Sequence, residues 1–172
     1  MINGAAGGVG TFAVQIAKSM SADVTGVCGT RNADLVRSIG AHQVIDYTRE
    51  DFTTGARHYD VILDCIGNHS LLRCRRVLNR DGIYVGVGGK NGRWIGPLLG
   101  MISAPLVSKL VSQTLVVVQA RRNKADLTIL RDLLAAGSVT PVIERFYQLQ
   151  EVPSALRHLE GGHARGKLVI VL

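Results

Sequence analysis

The sequence predicts an α/β fold built on a doubly wound parallel sheet. Three observations predict it. Short apolar runs alternate with amphipathic helical patterns along most of the 172 residues, which argues for βαβ units around a parallel sheet. Residues 60–65 (DVILDC) are almost wholly apolar, as a strand buried on both faces requires. A glycine-rich loop, Ala5-Ala6-Gly7-Gly8-Val9-Gly10, stands between the first strand-like residues and the first helical pattern.

The elements follow in order. Residues 1–4 read as the end of a first strand. Residues 8–20 read as a helix with Val9, Ala13, Ile16, Ala17 and Met20 on one face. Residues 23–28 (DVTGVC) are a second strand. Asn32 is the expected N-cap of a helix carrying Leu35, Val36 and Ile39, closed by Gly40. Residues 43–46 form a short third strand and residues 60–65 the fourth. Asn68 is expected to cap a helix that ends near Leu78. An Asp81-Gly82 turn leads to a fifth strand at 83–87, and 115–119 is the sixth. Asn123 and Asp126 start the next helix, which runs to Ala136 and stops at Gly137. This is the order of a Rossmann-type dinucleotide-binding domain, placed at residues 1–139, with its first strand cut short. Residues 140–172 depart from it. They carry a strand-like run at 142–149, a short helix between Pro153 and Gly161, and a last strand at 168–172.

Hydrophobic residues make up 47% of the chain and charged residues 19%, so it is globular rather than disordered. The net charge of +7 admits a nucleic-acid partner. Few aromatics lie among the basic clusters, however, so no base-stacking platform is visible. The expectation is no nucleic acid, with cations spread over solvated faces and a field that suits an anionic cofactor. Cys28, Cys65 and Cys74 form no Cys-x-x-Cys pair, which argues against a zinc knuckle or a disulfide framework. Free thiols and a cytoplasmic location are expected. The longest uncharged run, 94–108, is too short for a membrane span.

The glycine loop fits G-x-G-x-x-G with Ala5 in the first glycine slot. Gly7 lets the backbone approach a pyrophosphate, and Gly10 lets the helix pack on the strand. The helix N-terminus supplies free N–H groups and a positive dipole end. The end of the second strand selects the dinucleotide, because sites for NAD place an acid there to hold the ribose 2′-hydroxyl. This chain reads Cys28-Gly29-Thr30-Arg31-Asn32, without an acid. The Arg31 fork can pair a 2′-phosphate, so NADPH is expected over NADH. The other reading of Arg31 is a solvated surface arginine.

The stretches INGAAGGVGTFAVQIAK, LVRSIGAHQVIDY, YDVILDCIG, AAGSVTPVIE and GGHARGKLVIV together resemble the cofactor domain of the medium-chain dehydrogenase/reductase superfamily, in its zinc-independent, quinone-oxidoreductase-like branch. Segment 90–113 is less diagnostic. The resemblance implies an NADPH-dependent reductase of small quinones, enones or similar carbonyl compounds. It implies that Ala6, Gly8 and Val9 contact the pyrophosphate within the loop that Gly7 and Gly10 shape. It places Gly29, Thr30 and Arg31 at the 2′-phosphate. Many relatives carry serine where Gly29 stands, which leaves Thr30 and Arg31 to hold the phosphate. Tyr47 would sit by the adenosine and Ile66 along the adenine and ribose. Gly88 would approach the nicotinamide by its backbone. His163, Ala164 and Arg165, in the motif HARGK, would reach back to the cofactor. By themselves Tyr47 reads as a half-buried strand-end tyrosine and the 163–165 segment as a solvated turn. His42, His58, His69 and His158 read as surface or structural.

In such relatives a hydride passes to a substrate held between two domains, and positioning in a dry cleft does most of the work. No catalytic acid or base is identified in this chain. The resemblance implies that an N-terminal domain lies outside this sequence and that residues 140–172 pack on it. Zinc ligands in the superfamily come mainly from that domain, so no zinc is expected. Residues 94–111 would line the substrate pocket or a dimer contact, or form a core excursion. Residues 115–118 would be the edge strand of a homodimer. A non-catalytic NADP(H)-binding module or a truncated remnant is the alternative.

Overall fold

Eight strands and five helices occupy the residues that the computed structural model describes, 1–87, 112–118, 123–162 and 164–172. β1 (Ile2–Asn3) leads through the glycine loop into α1 (Gly10–Ser19). β2 (Thr25–Cys28), α2 (Ala33–Ser38) and β3 (Gln43–Asp46) follow. Next come β4 (Tyr59–Asp64), α3 (Leu71–Arg76), β5 (Leu78–Gly86) and β6 (Thr114–Val117). α4 (Lys124–Ala135), β7 (Ile143–Gln148), α5 (Val152–Glu160) and β8 (Lys167–Val171) complete the order.

The first six strands form one parallel sheet in the order β3-β2-β1-β4-β5-β6. β1 through β3 extend it one way and β4 through β6 the other, so a crevice opens beyond the C-terminal ends of β1 and β4. Strand alternation sends side chains to two cores. Ile2, Val24 and Cys28 pack with Val14 of α1 and Val36 of α2 on one face. Met1, Val27, Ile62 and Tyr84 pack with Cys74 of α3 and Val77 on the other. Gly26 has no side chain because α2 leaves no room for one: a Cβ there would stand 2.5 Å from Val36 Cγ1.

Three local expectations need correction. Asn68 does not cap α3. Ser70 does, its hydroxyl oxygen accepting from Arg73 N at 3.4 Å. The reason lies in Asp64, whose carboxylate takes the N–H groups of Ile66 and Gly67 and curls the chain after β4, turning Asn68 back toward Asn3. Asn32 stands at the start of α2 but makes no capping bond, because a 3-10 turn at Thr30–Asn32 precedes the helix. β5 begins at Leu78, and Asp81-Gly82 lies within it. An irregularity in its pairing opposite Tyr59 and Val61 absorbs the misfit. The expected helix stop holds, with Gly137 just beyond α4 in the left-handed region at φ 68°. Gln119 and residues 94–111 lie outside the described residues.

β7 and β8 pair in parallel as a second, two-stranded sheet. Two contacts fix it to the first unit. The Gln15 amide of α1 brackets Thr140, donating to its carbonyl at 2.9 Å and accepting its N–H at 2.8 Å. Gly166 N donates to Ala6 O at 2.9 Å. Among the described residues, no helix is long and apolar enough to cross a membrane.

Candidate functional site

The crevice at the ends of β1, β2 and β4 holds a cleft of about 180 Å³. Six of the residues singled out from sequence line it together: Ala6, Gly7, Gly29, Tyr47, Ile66 and Ala164. They arrive from five different connections, so the fold and not the local sequence gathers them.

The glycine loop forms one wall. Gly4 takes φ 83°, and a Cβ there would meet Ile66 Cγ1 at 2.7 Å. Gly7 N donates to Gly4 O at 3.1 Å, which closes the turn. Gly7 O then accepts from the N–H and the hydroxyl of Thr11 at 3.0 and 3.1 Å. No side chain caps α1 and no acid stands in its first turn, an arrangement suited to an anion. Gly8 lies on the flank of the loop rather than in the cleft, and Val9 is half exposed at the N-cap of α1. Gly10 packs into the turn beneath, where a Cβ would stand 2.1 Å from Gly4 O. Its role is therefore to seat the helix.

The wall after β2 is mixed. Tyr47 lies over Gly29, and a Cβ on Gly29 would stand 3.2 Å from its hydroxyl oxygen. Thr30 is exposed and donates its hydroxyl to Asp46 Oδ2 at 2.5 Å. Asp46 also accepts from Thr48 N and Oγ1 at 3.0 and 2.7 Å. These bonds, that from Thr30 first and those from Thr48 next, hold the Asp46 carboxyl below the usual carboxylate range. An ionised carboxylate therefore stands beside Thr30. Arg31 is exposed and has no carboxylate within 4.0 Å among the described residues.

Behind the lining, and outside it, a buried carboxylate supports the cleft. Asp64 is fully buried. Its Oδ1 accepts from Asn3 Nδ2 at 2.9 Å, Ile66 N at 3.0 Å and Gly67 N at 2.8 Å. Its Oδ2 accepts from Tyr84 OH at 2.8 Å. Burial pushes the Tyr84 hydroxyl well up, and the Asp64 charge pushes further, so it remains a donor. Asn3 Nδ2 also donates to Asn68 Oδ1 at 2.9 Å, which holds both asparagines at the cleft.

Sequence reasoning missed several residues here. Asn3, Asn32, Asn68 and Gly162 line the cleft, and Asn32 Oδ1 is buried without a hydrogen-bond partner. Asn32 was legible only as a helix cap. Lys167 closes the HARGK motif, and its Nζ would stand 3.2 Å from a Cβ on Gly8 and is 5.6 Å from the Phe12 ring centroid. It places a cation on the glycine loop. Arg165 contributes its backbone, its N–H donating to Glu144 Oε2 at 2.7 Å. Gly88 and His163 lie outside the described residues. Burial pushes the Cys28 and Cys65 thiols up to about 11 and the Cys74 thiol up to about 12, so none is a nucleophile at neutral pH. Among the described residues, no three His, Cys, Asp or Glu side chains gather as a metal centre needs.

A family model described as zinc-binding dehydrogenase matches residues 39–170. A mitochondrial NAD(P)H oxidoreductase of Mus musculus is 34% identical over 192 residues, covering 99% of this chain and 47% of the relative. The quinone oxidoreductase of Coxiella burnetii superposes with a TM-score of 0.83 at 29% identity, covering 99% of this chain and 51% of that one. The Escherichia coli quinone oxidoreductase, solved with NADPH, superposes with a TM-score of 0.76 at 27% identity, covering 99% and 56%. The chain thus spans about half the length of the proteins it matches. The expected cytoplasmic location is corrected by these relatives: the mouse protein and its cattle, human and zebrafish counterparts are mitochondrial.

Proposed function

Since the chain belongs to the zinc-binding dehydrogenase family, among the quinone-oxidoreductase-like members of the medium-chain dehydrogenase/reductase superfamily, we propose that it is the cofactor-binding half of an NADPH-dependent reductase of quinones, enones or related carbonyl compounds. The observation that carries this reading is the convergence of the glycine loop, Gly29, Tyr47, Ile66 and Ala164 on one cleft at the switch point of the sheet. When bound, the nicotinamide supplies the hydride. The chain's own residues bind and orient. Gly7 admits the pyrophosphate to the backbone, and the α1 N-terminus and Lys167 answer its charge. The lone Asn32 Oδ1 accepts from a ribose hydroxyl. Tyr47 and Ile66 cover the adenosine.

NADPH preference rests on Arg31, the one cation in the segment after β2, set against the Asp46 carboxylate beside Thr30. A fluorescence titration is expected to show saturable NADPH binding that is tighter than NADH binding. Arg31→Ala should weaken NADPH binding by about tenfold, one lost charge-assisted contact, and leave NADH unchanged. Equal affinities for the two dinucleotides in the wild type would refute the preference. Among the described residues, no group of three His, Cys, Asp or Glu side chains gathers to hold zinc. Within this reading, residues 1–139 are the cofactor domain and 140–172 a segment that packs against a further domain. Phe146, Leu156 and Leu159 are exposed apolar residues suited to that contact. β6 is the outer strand of the sheet, with Val116 and Val117 exposed, and a homodimer through it should give twice the monomer mass by light scattering. A monomer at micromolar concentration would remove that proposal.

The second reading is a dinucleotide-binding module without turnover. It is favoured by the cleft lining, which among the described residues contains no carboxylate, histidine or lysine. Oxidation of NADPH against a panel of quinones separates the two: binding without oxidation supports the module.

A further inference from the structure

Beside the cleft, three side chains form a bridge that ends on the loop after α5. Tyr147 of β7 is buried, and its hydroxyl meets His158 Nδ1 of α5 at 2.9 Å. The other ring nitrogen of His158, Nε2, lies 3.3 Å from Glu144 Oε2. The same carboxylate oxygen accepts the backbone N–H of Arg165 at 2.7 Å. One residue on, Gly166 N donates to Ala6 O at 2.9 Å. One residue back, Ala164 lines the cleft. In the neutral ring these contacts select one tautomer: Nε2–H donates to Glu144 and Nδ1 accepts from Tyr147. The buried tyrosine is the fixed end of the bridge and the loop amide is its free end.

We propose that Glu144, held by His158 and Tyr147, is a positioning residue for the cofactor: it fixes Ala164 and Arg165 against the glycine loop, and dinucleotide affinity depends on that anchor. The proposal rests on the reading that the cleft holds NADPH.

Charge alone gives the opposite sign. Glu144 is a carboxylate near a site for an anionic dinucleotide, and its neighbours on the same surface are cations. Arg145 lies over the Tyr147 ring at 4.7 Å, and Arg165 and Lys167 follow in the loop and β8. Removing the negative charge should tighten binding if only Coulomb attraction mattered. An anchor gives weakening, because a freed loop must be ordered again when the ligand binds.

The test is NADPH titration of the full chain, with amide hydrogen exchange at Arg165 followed in the same samples. Glu144→Ala is expected to raise the NADPH dissociation constant about tenfold and to speed exchange at Arg165 in the free protein. Glu144→Gln keeps a carbonyl oxygen for both donors and should recover most of the affinity and the slow exchange. That rescue separates an anchor from a charge effect. Unchanged or tighter NADPH binding by Glu144→Ala, in a wild type that binds NADPH, overturns the proposal and leaves the cofactor reading standing. Absence of saturable binding by the wild type overturns both. If Glu144→Ala fails to fold by circular dichroism, His158→Ala carries the test. It removes the support and leaves the Glu144 acceptor, so an increase of about threefold upholds the anchor and no change overturns it.

Discussion

Gly10→Ala should strip the protein of much of its stability, lowering the melting temperature by roughly 6–12 °C, the shift expected for a loss of about 3 kcal/mol in a domain of this size. The added methyl would stand 2.1 Å from Gly4 O, 2.7 Å from Ala5 Cα and 2.8 Å from Ala5 C. All three are backbone atoms, so no side-chain rotation relieves the contact. Either α1 moves away from β1 or the Gly4 turn opens. Both responses disturb Val14 and Ala5, which are fully buried on that face. Gly7→Ala makes the control. Its methyl would lie 3.4 Å from Gly4 O, an ordinary contact, and the fold should stay within about 1 kcal/mol of wild type. NADPH affinity should nevertheless fall by about tenfold or more, because the methyl occupies the space through which the backbone meets a pyrophosphate. Thermal denaturation by circular dichroism and the fluorescence titration read the two effects. A Gly10→Ala variant melting within 2 °C of wild type would show that the loop yields easily, and the role given to Gly10 would be wrong.

The contrast between these two glycines marks what the sequence could and could not convey. The glycine pattern at a strand-to-helix junction told of a Rossmann-type loop before any coordinates, because the chemistry of backbone approach demands glycine at fixed spacing. It could not tell that Gly10 works on the helix while Gly8 lies on the loop flank against Lys167, since that depends on β8 returning to the loop from more than a hundred residues away. Strands were legible where every residue is buried, as in β2, and less so where a bulge lets a strand run through a turn motif, as in β5; β4 was read as buried on both faces, yet Asp60 and Val61 are exposed. Asn32 and Asn68 read as caps because asparagine favours caps. Asn68 is drawn instead to Asn3, and Asn32, at the end of a 3-10 turn, lines the cleft with its Oδ1 unpartnered. Thr30 and Arg31 read as a phosphate site from the absence of an acid after β2. The acid that approaches Thr30 comes from the end of β3, a neighbour only in the folded sheet. His158 read as structural, and its bridge between Tyr147 and Glu144 is visible only once α5 packs on β7.

Asp64→Ala should be among the most destabilising changes outside the glycine loop, costing about 3–5 kcal/mol. Four donors converge on this one side chain: Asn3 Nδ2, Ile66 N, Gly67 N and Tyr84 OH. Alanine would leave Tyr84 OH and one Asn3 Nδ2 proton without an acceptor in buried surroundings, free the part-buried N–H groups of Ile66 and Gly67, and release the turn that brings Ile66 and Asn68 to the cleft. Asp64→Asn should be far milder, at about 1–2 kcal/mol. Its oxygen can keep the three donors at Oδ1, and its NH₂ group can face Tyr84, whose hydroxyl oxygen then accepts. The pair also has a pH signature. Tyr84 titrates above its ordinary value in the folded state, through burial first and the Asp64 charge second. A group raised on folding contributes its full stabilisation below the unfolded pKa, about 10 for tyrosine, and loses it as pH climbs beyond that value. Chemical denaturation from pH 7 to 11 should therefore show stability falling more steeply above pH 10 in the wild type than in Tyr84→Phe. The raised thiols add a fall beginning nearer pH 9 that both proteins share. Identical alkaline slopes in wild type and Tyr84→Phe would rule out the buried hydroxyl as a titrating support of Asp64, and an Asp64→Ala variant as stable as Asp64→Asn would remove Asp64 as the support behind the cleft lining.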